Sequence, residues 1–253
     1  MKKKVISVVG ARPNFMKVAP IHRAFQKYND KFEHLIVHTG QHYDETMSDA
    51  FFRDLDMPHP AYFLGVGSAS HAAQTAKIMI EFEKVCIEAK PDLVIVVGDV
   101  NSTIACALTA IKLGIKVAHV EAGLRSRDRT MPEEINRIAT DSICDYCFVT
   151  EQSGLDNLKN EGFDTDKIFF TGNTMIDSQV YAMPNAKGSD ILDKLSLKEK
   201  EYILITLHRP SNVDNKEQLQ SILEIFAEVS SQRKVVFPIH PRTRKNIFAE
   251  SSV

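Results

Sequence analysis

The chain has 253 residues, and 43% of them are hydrophobic, which favours a sizeable packed core and argues against a disordered chain. Lys and Arg number 31 against 33 Asp and Glu, and this near balance argues against a general nucleic-acid-binding protein, which carries a basic face. No apolar run approaches the ~20 residues that cross a bilayer, and Arg12 interrupts the short apolar stretch at the N-terminus before any signal-peptide cleavage site. We therefore expect a cytoplasmic protein without a membrane partner.

Short β-branched runs alternate with segments of helical periodicity from the N-terminus to residue 170. The runs predicted as strands are 5–9, 34–38, 61–64, 92–97, 116–120, 146–149 and 168–170. The segments predicted as helices are 15–28, 45–54, 71–89, 102–113, 133–144 and 152–161. This pattern is typical of a parallel sheet with helices on both faces, and such sheets bind ligands at the carboxyl ends of their strands.

A second α/β pattern follows the polar, weakly patterned stretch 184–200. It consists of a predicted strand over 202–207, a helix over 215–231 and a strand over 234–239. We therefore predict two domains, one over residues 1–174 and a second over residues 175–253. Two strands and one helix cannot bury a doubly wound sheet, so we expect the second domain to be incomplete.

Two cations follow the first predicted strand, in the stretch "GARPNFMK". Gly10 permits a tight turn, and Pro13 suits the first turn of a helix whose positive end then lies above the strand. Arg12 and Lys17 are suited to phosphate or carboxylate. The stretch lacks the second glycine and the Ser/Thr of a Walker loop. The alternative is a surface turn with two solvated cations.

Three acidic residues occupy comparable positions further along. Asp99 follows a buried strand, Glu121 ends another, and Glu133 lies in the first turn of a helix that Pro132 opens. Each has a structural alternative, because acids favour helix N-termini and Glu133 is four residues from Arg137. Convergence of three carboxylates at one sheet edge would instead separate their pKa values, as acid–base chemistry requires.

His208 and Arg209 follow a buried strand of the second domain, where they suit either a diphosphate contact or a purely structural role.

Two other groups are possible metal or redox sites. His38, His42 and Asp44 lie in "HTGQHYD", where a loop is the favoured interpretation. Cys144 and Cys147 form a C-x-x-C without a second pair, which favours buried core thiols over a metal or redox site. We therefore predict no metal.

The polar stretches together resemble the non-hydrolysing UDP-N-acetylglucosamine 2-epimerase family. The motifs that carry the resemblance are "GARPNFMKVAPI", "HTGQHYD", "VVGDVNST", "HVEAGLRS", "MPEEINR", "TGN", "LITLHRP" and "PIHPRT". They occur in the family's order and cover essentially the whole chain. The resemblance implies a glycosyltransferase-B type fold of two Rossmann-like domains, with the nucleotide sugar in the cleft.

The family reversibly inverts C2 of UDP-N-acetylglucosamine to give UDP-N-acetylmannosamine, by eliminating UDP and adding it back to a 2-acetamidoglucal. By motif match, the resemblance makes Asp99, Glu121 and Glu133 the catalytic carboxylates. It places Arg12, Lys17, His208 and Arg209 at or near the diphosphate, with His208 counted among the catalytic residues. It implies no metal, no nicotinamide and a homodimer.

The sequence also departs from the family pattern. Family members are about half as long again, and the segments that bind uridine and diphosphate from the second domain are not found before Val253. We therefore expect a truncated chain that is a poor catalyst, and a non-catalytic nucleotide-sugar-binding fragment remains the alternative. The carboxylate set argues against a third possibility, a glycosyltransferase. Gln41 and His42 match part of the family's activating site, although Asp44 stands where glutamine is expected.

Overall fold

The computed structural model describes residues 2–41, 52 and 54–248, without the side chains of Pro210 and Pro241. The chain divides into two compact units, residues 1–183 and 184–253. This division falls slightly C-terminal to the expected domain boundary near residue 175, which stays a prediction. Within the described residues, none of the helices combines the length and the apolar character that a membrane crossing requires.

The first unit is built on one parallel sheet, as the alternating pattern predicts. Its strands are β1 Lys3–Val9, β2 Phe32–His38, β3 Tyr62–Phe63, β4 Leu93–Val97, β5 Lys116–Val120, β6 Tyr146–Val149 and β7 Ile168–Phe170. They pair in the order β3-β2-β1-β4-β5-β6-β7, every pair parallel. The direction of winding reverses between β1 and β4, and a crevice therefore opens between the loops that follow these two strands.

Helices cover both faces of the sheet. They are α1 Arg12–Gln26, α2 His71–Ala89, α3 Asn101–Lys112, α4 Pro132–Ile143 and α5 Gln152–Asn160, with a 3-10 helix at Thr165–Lys167. The next helix, α6 Thr174–Lys187, contacts α1, where Ser178 donates to the Met16 carbonyl (2.6 Å). Successive strand residues alternate between two cores. Ile6 packs with Phe82 of α2 in one core, whereas Val5 packs with Phe15 of α1 in the other. Because both faces are buried, the central strands are mostly apolar, and Ser7 of β1 and His119 of β5 are the polar residues buried among them.

The second unit contains a two-stranded parallel sheet of β8 Tyr202–Leu204 and β9 Lys234–Val236. Its helices are α7 Ile191–Lys194, α8 Pro210–Val213, α9 Lys216–Gln232 and α10 Pro241–Phe248. A small core joins Leu207, Val213 and Leu219. Both strands end earlier than predicted, because the ladder stops after Ile205 donates to the Val236 carbonyl.

The sequence prediction missed α6 and α10, and also the one-turn helices α7 and α8. Pro184 lies inside α6 and weakens its helical signal, whereas Pro241 opens α10, a start signal that the pattern overlooked. The predicted helix over 45–54 lies almost entirely outside the described residues.

Candidate active site

The turn after β1 is closed by a side chain of the helix that follows it. Asn14, in the first turn of α1, accepts hydrogen bonds from the backbone N–H groups of Gly10 (3.0 Å) and Ala11 (2.9 Å) and donates to the Val97 carbonyl (3.2 Å). A Cβ at Gly10 would lie 2.3 Å from Ser102 Oγ, so close packing, more than turn geometry, requires this glycine. The turn therefore holds Arg12, which is exposed, at the start of α1 beside the end of β4.

Lys17 and Glu121 form an ion pair between α1 and the end of β5. The Lys17 side chain is 9% exposed and that of Glu121 is 18% exposed. A Cβ at Gly98 would lie 3.0 Å from Lys17 Nζ and 3.4 Å from Glu121 Oε2, so the pair sits directly over the Gly98 backbone. The structure thus brings together a cation and an acid that the sequence indicates only separately.

Glu121 adopts a backbone conformation that side chains rarely take. Its φ is 76°, in the left-handed region, and its N–H donates to the Phe148 carbonyl (3.0 Å). Such a conformation costs of order 1–3 kcal/mol in a residue other than glycine and persists where surrounding contacts enforce it, often at functional sites. Here it turns the chain at the end of β5 and directs the carboxylate toward Lys17.

Asp99 follows Gly98 and pairs with Arg137 of α4 (2.5 Å). Arg137 also contacts Glu134 (3.1 Å), so among the described residues its acidic partner in α4 is Glu134 and not Glu133, the structural alternative that the sequence offered. Burial by itself raises the pKa of Glu134, but hydrogen bonds from the Ser126 and Arg127 N–H groups and from Arg137 hold that pKa below its usual range. Glu134 is therefore the structural acid of the pair, whereas Glu133 beside it is half-buried.

Asp99 and Glu133 line one cavity of about 290 Å³. Gln41 also lines it, and its Oε1 accepts from the Ser102 N–H (3.0 Å) and Oγ–H (2.7 Å). His42, the other residue matched to the activating site, and Asp44 lie outside the described residues. The cavity wall includes polar residues that the sequence reasoning missed: His71, Gln74, Asn101 and Asn136. They come from α2, α3 and α4, and they are recognised as neighbours only once these helices are packed together.

A buried charged network lies beneath these loops. His119 of β5 is fully buried, with Nδ1 2.6 Å from Asp141 Oδ1 and Nε2 2.8 Å from the Gly98 carbonyl oxygen. Asp141 Oδ2 accepts from the Gly123 N–H (3.0 Å) and from Arg125 (2.7 Å). Burial raises the pKa of Asp141, but His119 and Arg125 outweigh it and hold that pKa below the usual range. Sequence reasoning did not find this network.

The two cysteines adjoin the same network. Cys144 Sγ and Cys147 Sγ are 3.3 Å apart, both residues are buried, and with Asp141 they place three possible ligand atoms within 4.8 Å of one another. The neighbouring Cys147 thiol and burial raise the pKa of Cys144, so its thiol stays protonated at neutral pH. Both oxygens of Asp141 are already engaged. These contacts suit core thiols better than a metal site.

In the second unit, His208 and Arg209 are exposed. The His208 Nδ1 lies 3.3 Å from Thr206 Oγ1, and its ring centroid lies 5.8 Å from that of His240.

A parallel sheet of this order, with charged loops at its switch point, defines a doubly wound α/β protein. A model of the family described as UDP-N-acetylglucosamine 2-epimerase matches residues 23–252. The chain therefore belongs to the UDP-N-acetylglucosamine 2-epimerase family, and its fold is of the glycosyltransferase-B type.

Two relatives and a solved structure illustrate the match. A UDP-N-acetylglucosamine 2-epimerase homolog of Methanococcus maripaludis is 49% identical over 244 residues, which cover 96% of this chain and 67% of the relative. A UDP-2,3-diacetamido-2,3-dideoxy-D-glucuronate 2-epimerase of Pseudomonas aeruginosa is 42% identical, with 95% of this chain and 68% of the relative covered. The crystal structure of Methanocaldococcus jannaschii UDP-GlcNAc 2-epimerase in complex with UDP-GlcNAc and UDP is 44% identical in sequence, with a TM-score of 0.85. The match covers 98% of this chain and 69% of the chain in that structure.

Proposed function

We propose that the chain catalyses the reversible epimerisation of UDP-N-acetylglucosamine at C2, giving UDP-N-acetylmannosamine by a non-hydrolysing route. UDP is eliminated to leave a 2-acetamidoglucal and is then added back as the proton returns to the opposite face. The observation that carries the proposal is the Lys17–Glu121 pair over Gly98, next to Asp99 at the switch point of the sheet. The family membership of the chain supplies the reaction.

The three carboxylates supply the acid and base functions in this proposal. Removal of the C2 proton requires a base, and its return to the other face requires an acid. Asp99 pairs with Arg137 and Glu121 pairs with Lys17, whereas no ion pair of Glu133 occurs in the part of the chain that the structure describes. Different partners give the three groups different environments, which is the arrangement that separates acid from base roles.

The cations stabilise the departing UDP. Arg12 stands at the N-terminus of α1, where the helix dipole favours an anion, and its guanidinium suits a diphosphate. Lys17 is paired with Glu121 in this structure. Protonation of Glu121 would neutralise its carboxylate, and the Lys17 ammonium could then stabilise the negative charge of the departing UDP. The resemblance extends this proposal to His208 and Arg209 in the second unit.

The proposed route moves a proton and UDP with no net oxidation or reduction, so it requires no nicotinamide. Its partners are UDP-N-acetylglucosamine and UDP. The family resemblance also supports a homodimer, and the near balance of charges supports a protein without a nucleic-acid partner.

Product analysis tests the proposal. The chain is incubated with UDP-N-acetylglucosamine, or separately with UDP-2,3-diacetamido-2,3-dideoxyglucuronate, and the sugars are resolved by chromatography. The Methanocaldococcus jannaschii enzyme is the positive control. We expect UDP-N-acetylmannosamine with the diphosphate bond to the sugar intact. Conversion of the glucuronate alone, or free sugar as the only product, would contradict the proposal. No product where the control is active would favour the alternative of a non-catalytic nucleotide-sugar-binding fragment.

A further inference from the structure

The surroundings of His119 determine which of its ring atoms carry protons. Nε2 lies 2.8 Å from the Gly98 carbonyl oxygen, which has no hydrogen to donate, so Nε2 must carry the proton of that bond. Nδ1 lies 2.6 Å from Asp141 Oδ1. The ring is fully buried.

Asp141 is an ionised carboxylate in this setting. Its Oδ2 accepts from the Gly123 N–H and from Arg125, which in turn donates to Glu161 at 2.9 and 2.6 Å. These charges keep the pKa of Asp141 below its usual range despite burial. An ionised carboxylate only accepts, so His119 Nδ1 must also carry a proton.

We infer that His119 is an imidazolium and a positioning residue, whose two N–H groups hold the loop of Asp99 and the loop of Glu121 against α4. Gly98, which receives one N–H, immediately precedes Asp99. Asp141, which receives the other, belongs to α4 and also binds the N–H of Gly123, two residues after Glu121. One side chain thus connects the elements that carry all three proposed catalytic carboxylates.

The surrounding charges balance this buried cation. His119 and Arg125 carry two positive charges, and Asp141 and Glu161 carry two negative charges. The adjacent Cys144 thiol stays protonated and donates to the Asp141 carbonyl (3.3 Å), and the Lys17–Glu121 pair over Gly98 is neutral as a unit. Removing His119 would leave Asp141 Oδ1 and the Gly98 carbonyl without the donor that each receives from it, whereas Asp141 Oδ2 would keep the Gly123 N–H and Arg125.

His119 does not reach the cavity, so it acts through the residues it holds and does not contact substrate. The kinetic consequence rests on the proposed function, but the protonation state does not. The two parts therefore have separate tests.

The first test is heteronuclear NMR of the chain labelled with ¹⁵N-histidine at pH 7, with signals assigned by His→Gln substitutions. We expect both ring nitrogens of His119 to carry a proton. His34 is the internal comparison: burial lowers its pKa to about 3, so only one of its nitrogens is protonated. In Asp141→Asn, His119 should lose one ring proton. A folded parent protein with one protonated nitrogen at His119 overturns the inference, whatever the chain catalyses.

The second test separates positioning from general stability. Displacement of catalytic groups by about 1 Å typically costs about 10²-fold in rate, so His119→Ala should lower kcat by about 10²-fold with KM changed by less than about 3-fold. His119→Gln retains a donor for the Gly98 carbonyl and should recover part of kcat. The control His34→Gln should keep kcat. A folded His119→Ala variant with the parent kcat overturns the positioning role. If this variant does not fold, the NMR result decides the protonation state, and a His119→Gln variant with the parent kcat and KM overturns the positioning role.

Discussion

Lys17 and Glu121 are 104 residues apart in the chain, yet they form an ion pair directly over the backbone of Gly98. The pair joins α1 to the end of β5 across β4. It therefore places a cation from α1 and an acid from the end of β5 at the same point of the switch crevice.

A double-mutant cycle tests whether this pair acts as a unit. Lys17→Met should lower turnover by about 10²-fold, because it removes a positioned stabiliser of developing charge. Residues that act together give non-additive losses, so Lys17→Met combined with Glu121→Gln should be little worse than either single variant. Losses that multiply in the double variant would show that the two side chains act independently.

Substitution of Gly98 tests whether the backbone beneath the Lys17–Glu121 pair must be free of a side chain. The φ of Gly98 is +68°, and alanine there costs about 1–2 kcal/mol of stability. Gly162 is the matched control, because its φ is +80° and a Cβ added there would meet no atom within 4 Å. Urea unfolding should show comparable losses for Gly98→Ala and Gly162→Ala, but only Gly98→Ala should lose turnover. Equal turnover in the two variants would remove Gly98 from the site.

Arg12 tests the proposed diphosphate contact. Charge-assisted hydrogen bonds contribute about 1.5–3 kcal/mol, so Arg12→Ala should weaken UDP binding by at least about tenfold in calorimetry. Lys27→Ala, at the far end of α1, is the control and should bind UDP as the parent does. If both variants retain the parent affinity, Arg12 does not contact the diphosphate.

Acid should destabilise the first unit through its buried histidines. His22 contacts both Gln26 and His34, and His34 contacts Ser7. Burial lowers the pKa of His34 to about 3 and that of His38 to about 4, below the unfolded value of 6.5. Below pH 6.5 the unfolded chain therefore binds more protons than the folded chain. The stabilisation that these neutral histidines allow should be fully present above pH 6.5, and the free energy of unfolding should fall as the pH drops from 6.5 toward 3.

The slope of this loss identifies its source. Each such histidine contributes about 1.4 kcal/mol per pH unit within the window, measurable by urea unfolding at several pH values. His34→Gln should reduce the slope by the contribution of one proton, about 1.4 kcal/mol per pH unit. An unchanged slope in that variant would assign the acid sensitivity to other groups.

The sequence predicts the local elements well, because their signals are local. The predicted bounds of helix 71–89 match those of α2, which Ser70 caps at one end and Lys90 ends with a φ of 50°. The apolar runs likewise predict the strands of the first sheet, since burial on both faces makes most positions of the central strands apolar.

The partners of the charged residues could not be predicted in this way. Whether Glu133 or Glu134 meets Arg137 depends on which face of α4 turns toward the 126–127 loop, and only the packed helix decides it. His119 and Asp141 lie on different elements and meet only once β5 packs against α4. Sequence places each group at a strand end or helix start, whereas tertiary packing selects its partner.

The central claim is that Asp99, Glu121 and Glu133 form one acid–base set, and exchange at C2 in D₂O tests it most directly. NMR follows deuterium entering C2 of UDP-N-acetylglucosamine in the parent chain, in the three single amide variants and in Glu83→Gln, a control on the exposed face of α2. We predict exchange in the parent and the control, and a loss of about 10² or more in each amide variant, the usual contribution of a general acid or base. Exchange at the parent rate in any of the three amide variants would remove that carboxylate from the set, and parent-like exchange in all three would contradict the claim.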